Sequence, residues 1–154
     1  MFCCSKKSFM YHIAIMKKSW GLIPKILAGQ KKIESRWYKT KHAPWGKISS
    51  GDIVYFKNSG EKISVRTKVE KVMSFSDLTP EKVSEILDRY GTDDGIEKAE
   101  IPGFFKRFRD KKYCLLIFLK DPEKVTPFEI NKAGFGAMAA WISVENIEEI
   151  KALA

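Results

Sequence analysis

The chain has 154 residues, 44% of them apolar and 31% charged, the balance of one folded domain around one core, which excludes a disordered or fibrous chain. Lys and Arg outnumber Asp and Glu by 28 to 19, a formal +9. That excess favours polyanionic partners, nucleic acid foremost, and an anionic membrane surface would answer to the same charge.

No apolar run approaches the length needed to span a membrane, so no membrane partner is expected. The opening MFCCSKKSFM lacks the apolar region and cleavage site of a signal peptide. Residues 1–9 are read as a flexible N-terminal extension, with Met10 as the true start and 10–154 as the domain. Cys3, Cys4 and Cys114 have neither disulfide-framework nor metal-ligand spacing, which points to a reduced, cytoplasmic protein without metal or cofactor.

Residues 12–16 are short and apolar and predict a buried first strand. Trp20, Ile23, Ile26 and Leu27 recur at helical spacing, Pro24 falls within the first turns, and Gly29 offers a left-handed stop. A helix over 20–28 follows. From 32 to 37 the chain alternates, Ile33 and Trp37 on one face and Glu34 and Arg36 on the other, as in a strand. Residues 38–50 hold His42, Pro44 and Gly46 without an apolar period and read as a loop.

A turn at Gly51-Asp52 leads to a strand over 53–56, and Asn58-Ser59-Gly60 turns again. Val65, Thr67 and Val69 alternate with cations and Glu70 in a strand over 63–72. Thr79-Pro80 opens a helix with Val83, Ile86, Leu87 and Tyr90 as its apolar stripe and Gly91 as its stop. The polar stretch 91–103 is expected to be a surface excursion. Strands follow at 113–119 and 141–144, and 146–149 carries a capping-box pattern that predicts a last helix. There is no internal repeat. Short strands interspersed with a few helices make a mixed, β-centred α+β domain, with a closed or nearly closed barrel as a reasonable architecture.

Glu34 and Arg36, two apart on a strand, share a face where the guanidinium can fix the carboxylate or bind a phosphate, and Lys31 is within reach of both. The plainer reading is a solvated charged face with modest ion pairing. Bases interleave with aromatics over 36–47 and again over 103–113, the pattern of a single-stranded nucleic-acid surface or of core aromatics among solubilising cations. Gly134-Phe-Gly-Ala137 is a glycine-rich loop without a P-loop pattern, and His12 is expected to pack.

At Gly29-Gln-Lys31-Lys-Ile-Glu34-Ser-Arg36 the sequence resembles the ASCH signature G-x-K-x-x-E-x-R, and Lys47-Ile-Ser-Ser-Gly51-Asp52 through Lys57-Asn-Ser59-Gly60 resembles that family's second block. The resemblance implies a PUA-like β-barrel with flanking helices whose motif residues line a cleft, and a superfamily that binds RNA. On it, the site candidates are Lys31, Glu34 and Arg36; the neighbouring aromatic-basic stretch adds Tyr38, Lys39, Lys41, Trp45 and Lys47 as ligand-binding candidates, and the second block adds Ser59.

The leading expectation is a module that binds RNA or other single-stranded nucleic acid, or a nucleotide-like small molecule, in a basic cleft. The alternative is a small hydrolase, an amidohydrolase or ribonuclease, using Lys31 and Glu34. One branch of the family hydrolyses acetylated cytidine with a lysine, a threonine and a glutamate. Lys31 matches that lysine, Glu34 stands in the threonine's place, and Glu81 or Glu85 would have to supply the distal carboxylate. A third reading is a protein-interaction domain in a transcription or translation complex.

Overall fold

Apolar side chains on both faces of the central strands set the architecture. In the computed structural model, which describes residues 9–136 and 139–152, strand β1 spans Tyr11–Met16. Its Ala14 and Met16 pack inward with Val54 and Phe56 of β3 (Ile53–Asn58), Val65 and Val69 of β4 (Ile63–Phe75), and Leu115 and Ile117 of β5 (Tyr113–Phe128). Ile13 packs to the other side, with Tyr55, Ile63, and Ile142 and Val144 of β6 (Trp141–Val144). Strands covered on both faces read as unbroken apolar runs, which is why 12–16 and 113–119 lack alternation. Residues 1–8 of the expected extension, and Ala137 of the glycine-rich stretch, lie outside the described residues.

With β2 (Ile33–Tyr38), the sheet runs β2-β5-β4-β3-β1-β6, and every pairing except β1 with β3 is antiparallel. The outer strands β2 and β6 share no ladder, yet the Arg36 guanidinium of β2 lies 4.8 Å from the ring of Trp141 on β6. The sheet therefore curls into a half-barrel. Of the closed or nearly closed barrel expected, the sheet forms the open kind, with a seam bridged by side chains.

Among the described residues there are three α-helices. The first, α1 (Leu22–Leu27), is shorter than the predicted 20–28, because Lys18–Trp20 forms a separate 3-10 turn divided from it by Gly21. Ile23 and Ile26 are buried, but Trp20 is 44% exposed and leaves the apolar stripe assigned to it. Gly29 ends this segment at φ +75°, a conformation that disfavours any residue with a Cβ. Helix α2 (Pro80–Tyr90) starts where predicted: the Thr79 hydroxyl accepts from the Lys82 N–H at 3.2 Å, and Val83, Ile86 and Leu87 pack on Ile33, Cys114 and Leu116.

The surface excursion over 91–103 holds only in part: Thr92, Asp93 and residues 97–100 are exposed, but the chain dips inward between them. Asp94 and Ile96 are buried, and Lys98–Glu100 begins a helical segment that continues as α3 (Ile101–Phe108). Pro102 and Gly103 resemble breakers, but both fall in the first turn of α3, where proline's missing N–H costs nothing. The reciprocal capping box belongs here, between Glu97 and Glu100. At 146–149 only a 3-10 turn forms, Ile147–Glu149, because burial of Ile147 and Ile150 and the bridge of Lys151 to Ile130 return the chain to the sheet.

His12 is fully buried inside the curl. One nitrogen, Nε2, lies 2.8 Å from Asp52 Oδ2, and the other, Nδ1, lies 2.8 Å from Ser143 Oγ and 3.2 Å from Trp141 Nε1. The indole N–H can only donate, so a neutral ring with its proton on Nε2 satisfies every partner. Burial holds the imidazole below its ordinary pKa against the pull of Asp52. An unfolded chain takes up this proton near pH 6.5 while the folded one resists, so His12 should lower stability as pH falls below about 6.5. Denaturant midpoints at pH 7.5 and 5.5 should fall more for the native protein than for His12→Gln; parallel profiles would contradict a neutral His12. Among the described residues no helix is long and apolar enough to cross a membrane.

Candidate functional site

The seam of the half-barrel opens into a cavity of about 710 Å³, walled by β2, the end of β1, the Trp20–Lys25 region and α3. That volume lies within the range of small-ligand sites. Seven basic and three acidic side chains line it among the described residues.

Its floor is a buried charge cluster. The Lys31 ammonium donates to the carbonyls of Ile33 (2.8 Å) and Asp94 (2.7 Å) and to Asp94 Oδ1 (2.7 Å), with Glu34 Oε1 at 3.2 Å. Glu34 Oε2 accepts from Arg36 Nη2 at 2.8 Å, and the Ser35 hydroxyl donates to Asp94 Oδ2 while accepting from the Trp37 indole. Gly95, at φ +83°, turns the chain so that the Asp94 and Gly95 carbonyls face Lys31 and Lys25.

Burial by itself would lower the Lys31 pKa, but Asp94 and Glu34 override it and hold the ammonium above the ordinary lysine value. Burial likewise works to raise Glu34, and Lys31 and Arg36 reverse the sign, leaving its carboxyl below the usual range. Asp94 goes the other way: burial, reinforced by the negative charge of Glu34, pushes it up despite Lys31. One ammonium thus serves two carboxylates; it lies nearer Asp94 (2.7 Å) than Glu34 (3.2 Å), but Glu34 has a second cation in Arg36 and Asp94 does not.

Arg36 is only 17% exposed, stacks on Trp141, spends Nη2 on Glu34, and has a buried Nε without a hydrogen-bond partner among the described residues. Across the cavity, Arg107 of α3 lies over the exposed Trp20 ring at 5.1 Å, and Trp37 stacks on Phe108 at 4.8 Å, nearly parallel.

Comparison with solved structures shows what this curled sheet is similar to. The crystal structure of ASCH from Zymomonas mobilis superposes with a TM-score of 0.63 at 13% identity, over 90% of this chain and 90% of that one. Two mutants of the same protein superpose at 0.62, each over 90% of this chain, at 13% and 14% identity. The fold is that of an ASCH domain. No protein-family model and no curated protein matches the chain in sequence.

On this ASCH fold the signature residues Lys31, Glu34 and Arg36 fall together on the cavity wall, and Ser59 lies on its rim. Tyr38, Lys39, Lys41, Trp45 and Lys47 are not among the lining residues. The Tyr38 hydroxyl donates to the Ala43 carbonyl at 3.3 Å, and burial raises its pKa. Trp45 packs edge-on against Tyr113 and on the inner core, with Lys41 above both rings, while Lys39 and Lys47 are exposed. The distal carboxylate on Lys31 comes from Asp94. Glu81 and Glu85 sit on α2, outside the cavity lining.

Sequence reasoning missed Asp94 and Trp20 as site residues, and held Arg107 only as part of the basic-aromatic stretch 103–113. The capping-box spacing Glu97/Glu100 was the available signal that the chain enters a helix after 96 and does not wander. Nothing in the local pattern marks Asp94 as a partner of Lys31, 63 positions away.

Proposed function

We propose that the seam cavity binds single-stranded RNA, or a nucleotide-like small molecule, through phosphate contacts at its rim and base contacts inside. The observation that carries this reading is the cation-rich wall with an exposed Trp20 ring set into it. Lys17, Lys25, Arg107 and Lys111 all line the cavity, whereas Glu34 and Asp94 are occupied by Lys31 and Glu100 by its capping box. A ligand therefore meets net positive charge beside an aromatic face, the pairing that holds unpaired nucleotides.

The same geometry disfavours hydrolysis by Lys31 and Glu34. The ammonium has more acceptors around it than protons, and a carboxylate paired with two cations is a weak base. The cytoplasm is the proposed location, which suits a buried thiol at Cys114.

A salt series tests this. Single-stranded RNA should bind with log K falling by about 0.7 per phosphate contact for each decade of salt, so three contacts give about a twentyfold loss between 50 and 200 mM. RNA of varied sequence that fails to bind at low salt would overturn the reading.

A further inference from the structure

The edge of β2 that faces the cavity is open along a short, defined stretch. The Leu119 N–H donates to the Lys32 carbonyl (2.8 Å) and the Lys112 N–H to the Tyr38 carbonyl (2.9 Å), so the even-numbered carbonyls of this segment turn toward β5, although the Lys32 N–H, just before the strand, goes to the Asp93 carbonyl (2.7 Å). Successive residues of a strand alternate in this respect, so Ile33, Ser35 and Trp37 turn theirs away from β5. Ile33 is occupied on that side: its N–H donates to the Asp93 carbonyl at 2.9 Å, and its carbonyl accepts from Lys31 Nζ at 2.8 Å. The main chains of Ser35 and Trp37 have no such partner among the described residues, β2 has no second neighbouring strand, and both residues line the cavity.

We propose that the main-chain N–H and C=O groups of Ser35 and Trp37 are the base-reading element of the site, an inference that rests on the nucleotide-binding reading above. In an extended strand the N–H and C=O of one residue point the same way, side by side. They complement the adjacent acceptor and donor on the edge of an unpaired base, such as the ring nitrogen and amino group of adenine or cytosine.

Two features favour a base over a peptide strand as the occupant. The open edge offers only two outward residues, stopped at one end by the occupied Ile33 and at the other by the end of β2 at Tyr38; strand addition needs a longer run. The cations around the opening also match a phosphate. Side chains of the same two residues are already committed, Ser35 to Asp94 and Trp37 to Ser35 and Phe108, so the backbone is held in place before any ligand arrives.

The experiment compares AMP and CMP with their dimethylamino analogues, which lose the amino donor and carry bulk at that edge, using isotope-labelled full-length protein and NMR. AMP and CMP should shift the Ser35 and Trp37 amide resonances and slow their hydrogen exchange, and the dimethylated forms should bind at least about tenfold more weakly. Equal binding of parent and dimethylated nucleotides, with both amides unmoved while Trp20 and Arg107 respond, would overturn the base-reading role and leave nucleotide binding standing. Failure of both nucleotides and single-stranded RNA to bind overturns the nucleotide reading itself. A short extended peptide that shifts the same amides where nucleotides do not would make the edge a peptide site and overturn the proposal.

Discussion

Replacing Lys31 by Met should destabilise the protein by about 3–5 kcal/mol at pH 7, the cost of removing one partner from a buried ionic cluster. The ammonium is 2% exposed and holds two carboxylates that are 6% and 8% exposed. Methionine fills much the same volume but leaves Asp94 with only the Ser35 hydroxyl, and Glu34 with only Arg36. Low pH should narrow the gap. In the native protein Glu34 is held below its ordinary pKa, so its contribution is present above the usual carboxylate range and is lost as pH falls through the folded value. Without Lys31 both carboxyls favour the protonated form, so the variant gains relative stability between pH 7 and 5. Denaturant titrations of both proteins at these two pH values measure it; a loss under 1 kcal/mol at pH 7, with an unchanged slope, would mean the cluster is solvated and not buried.

Substituting Trp20 by Ala should weaken single-stranded RNA binding by about 1–3 kcal/mol, roughly 5–150-fold, if a base stacks on the indole. The fold should tolerate the change, since Trp20 is 44% exposed and precedes α1. Trp45→Ala is the informative companion. Trp45 packs on the inner core and Tyr113 and does not line the cavity, so its loss should lower the denaturation midpoint and leave affinity within about twofold. The reverse pattern, with RNA affinity lost in Trp45→Ala and kept in Trp20→Ala, would move the site from the seam to the loop over 39–52.

What could be read from the sequence was what local spacing encodes. Glu34 and Arg36 fall on one face because strand parity places them there, and Gly29 ends its segment where a left-handed residue was needed. Thr79-Pro80 announced α2 to the residue, since capping chemistry is confined to one turn. The charge on the Glu34 face was the misleading signal. It suggested a solvated surface, whereas the curl of the sheet and the 92–95 turn bury it. Trp20 failed in the opposite sense, an aromatic at helical spacing that the Gly21 break turns outward. Strand order is a matter of long-range pairing, and no window of sequence holds both partners.

The unladdered seam has a mechanical side. Strand β2 is tied to the sheet only through β5, and β6 only through β1, so the two outer strands sit at opposite ends of one ribbon. The stack of Arg36 on Trp141 is the clasp that brings those ends together. A molecule lodged in the cavity lies against β2 and against Ala139 and Ala140, which lead into β6, and acts as an extra stave in an unfinished cask. Its grip and the tightness of the curl are then thermodynamically linked, so whatever tightens its binding also stabilises the curled sheet.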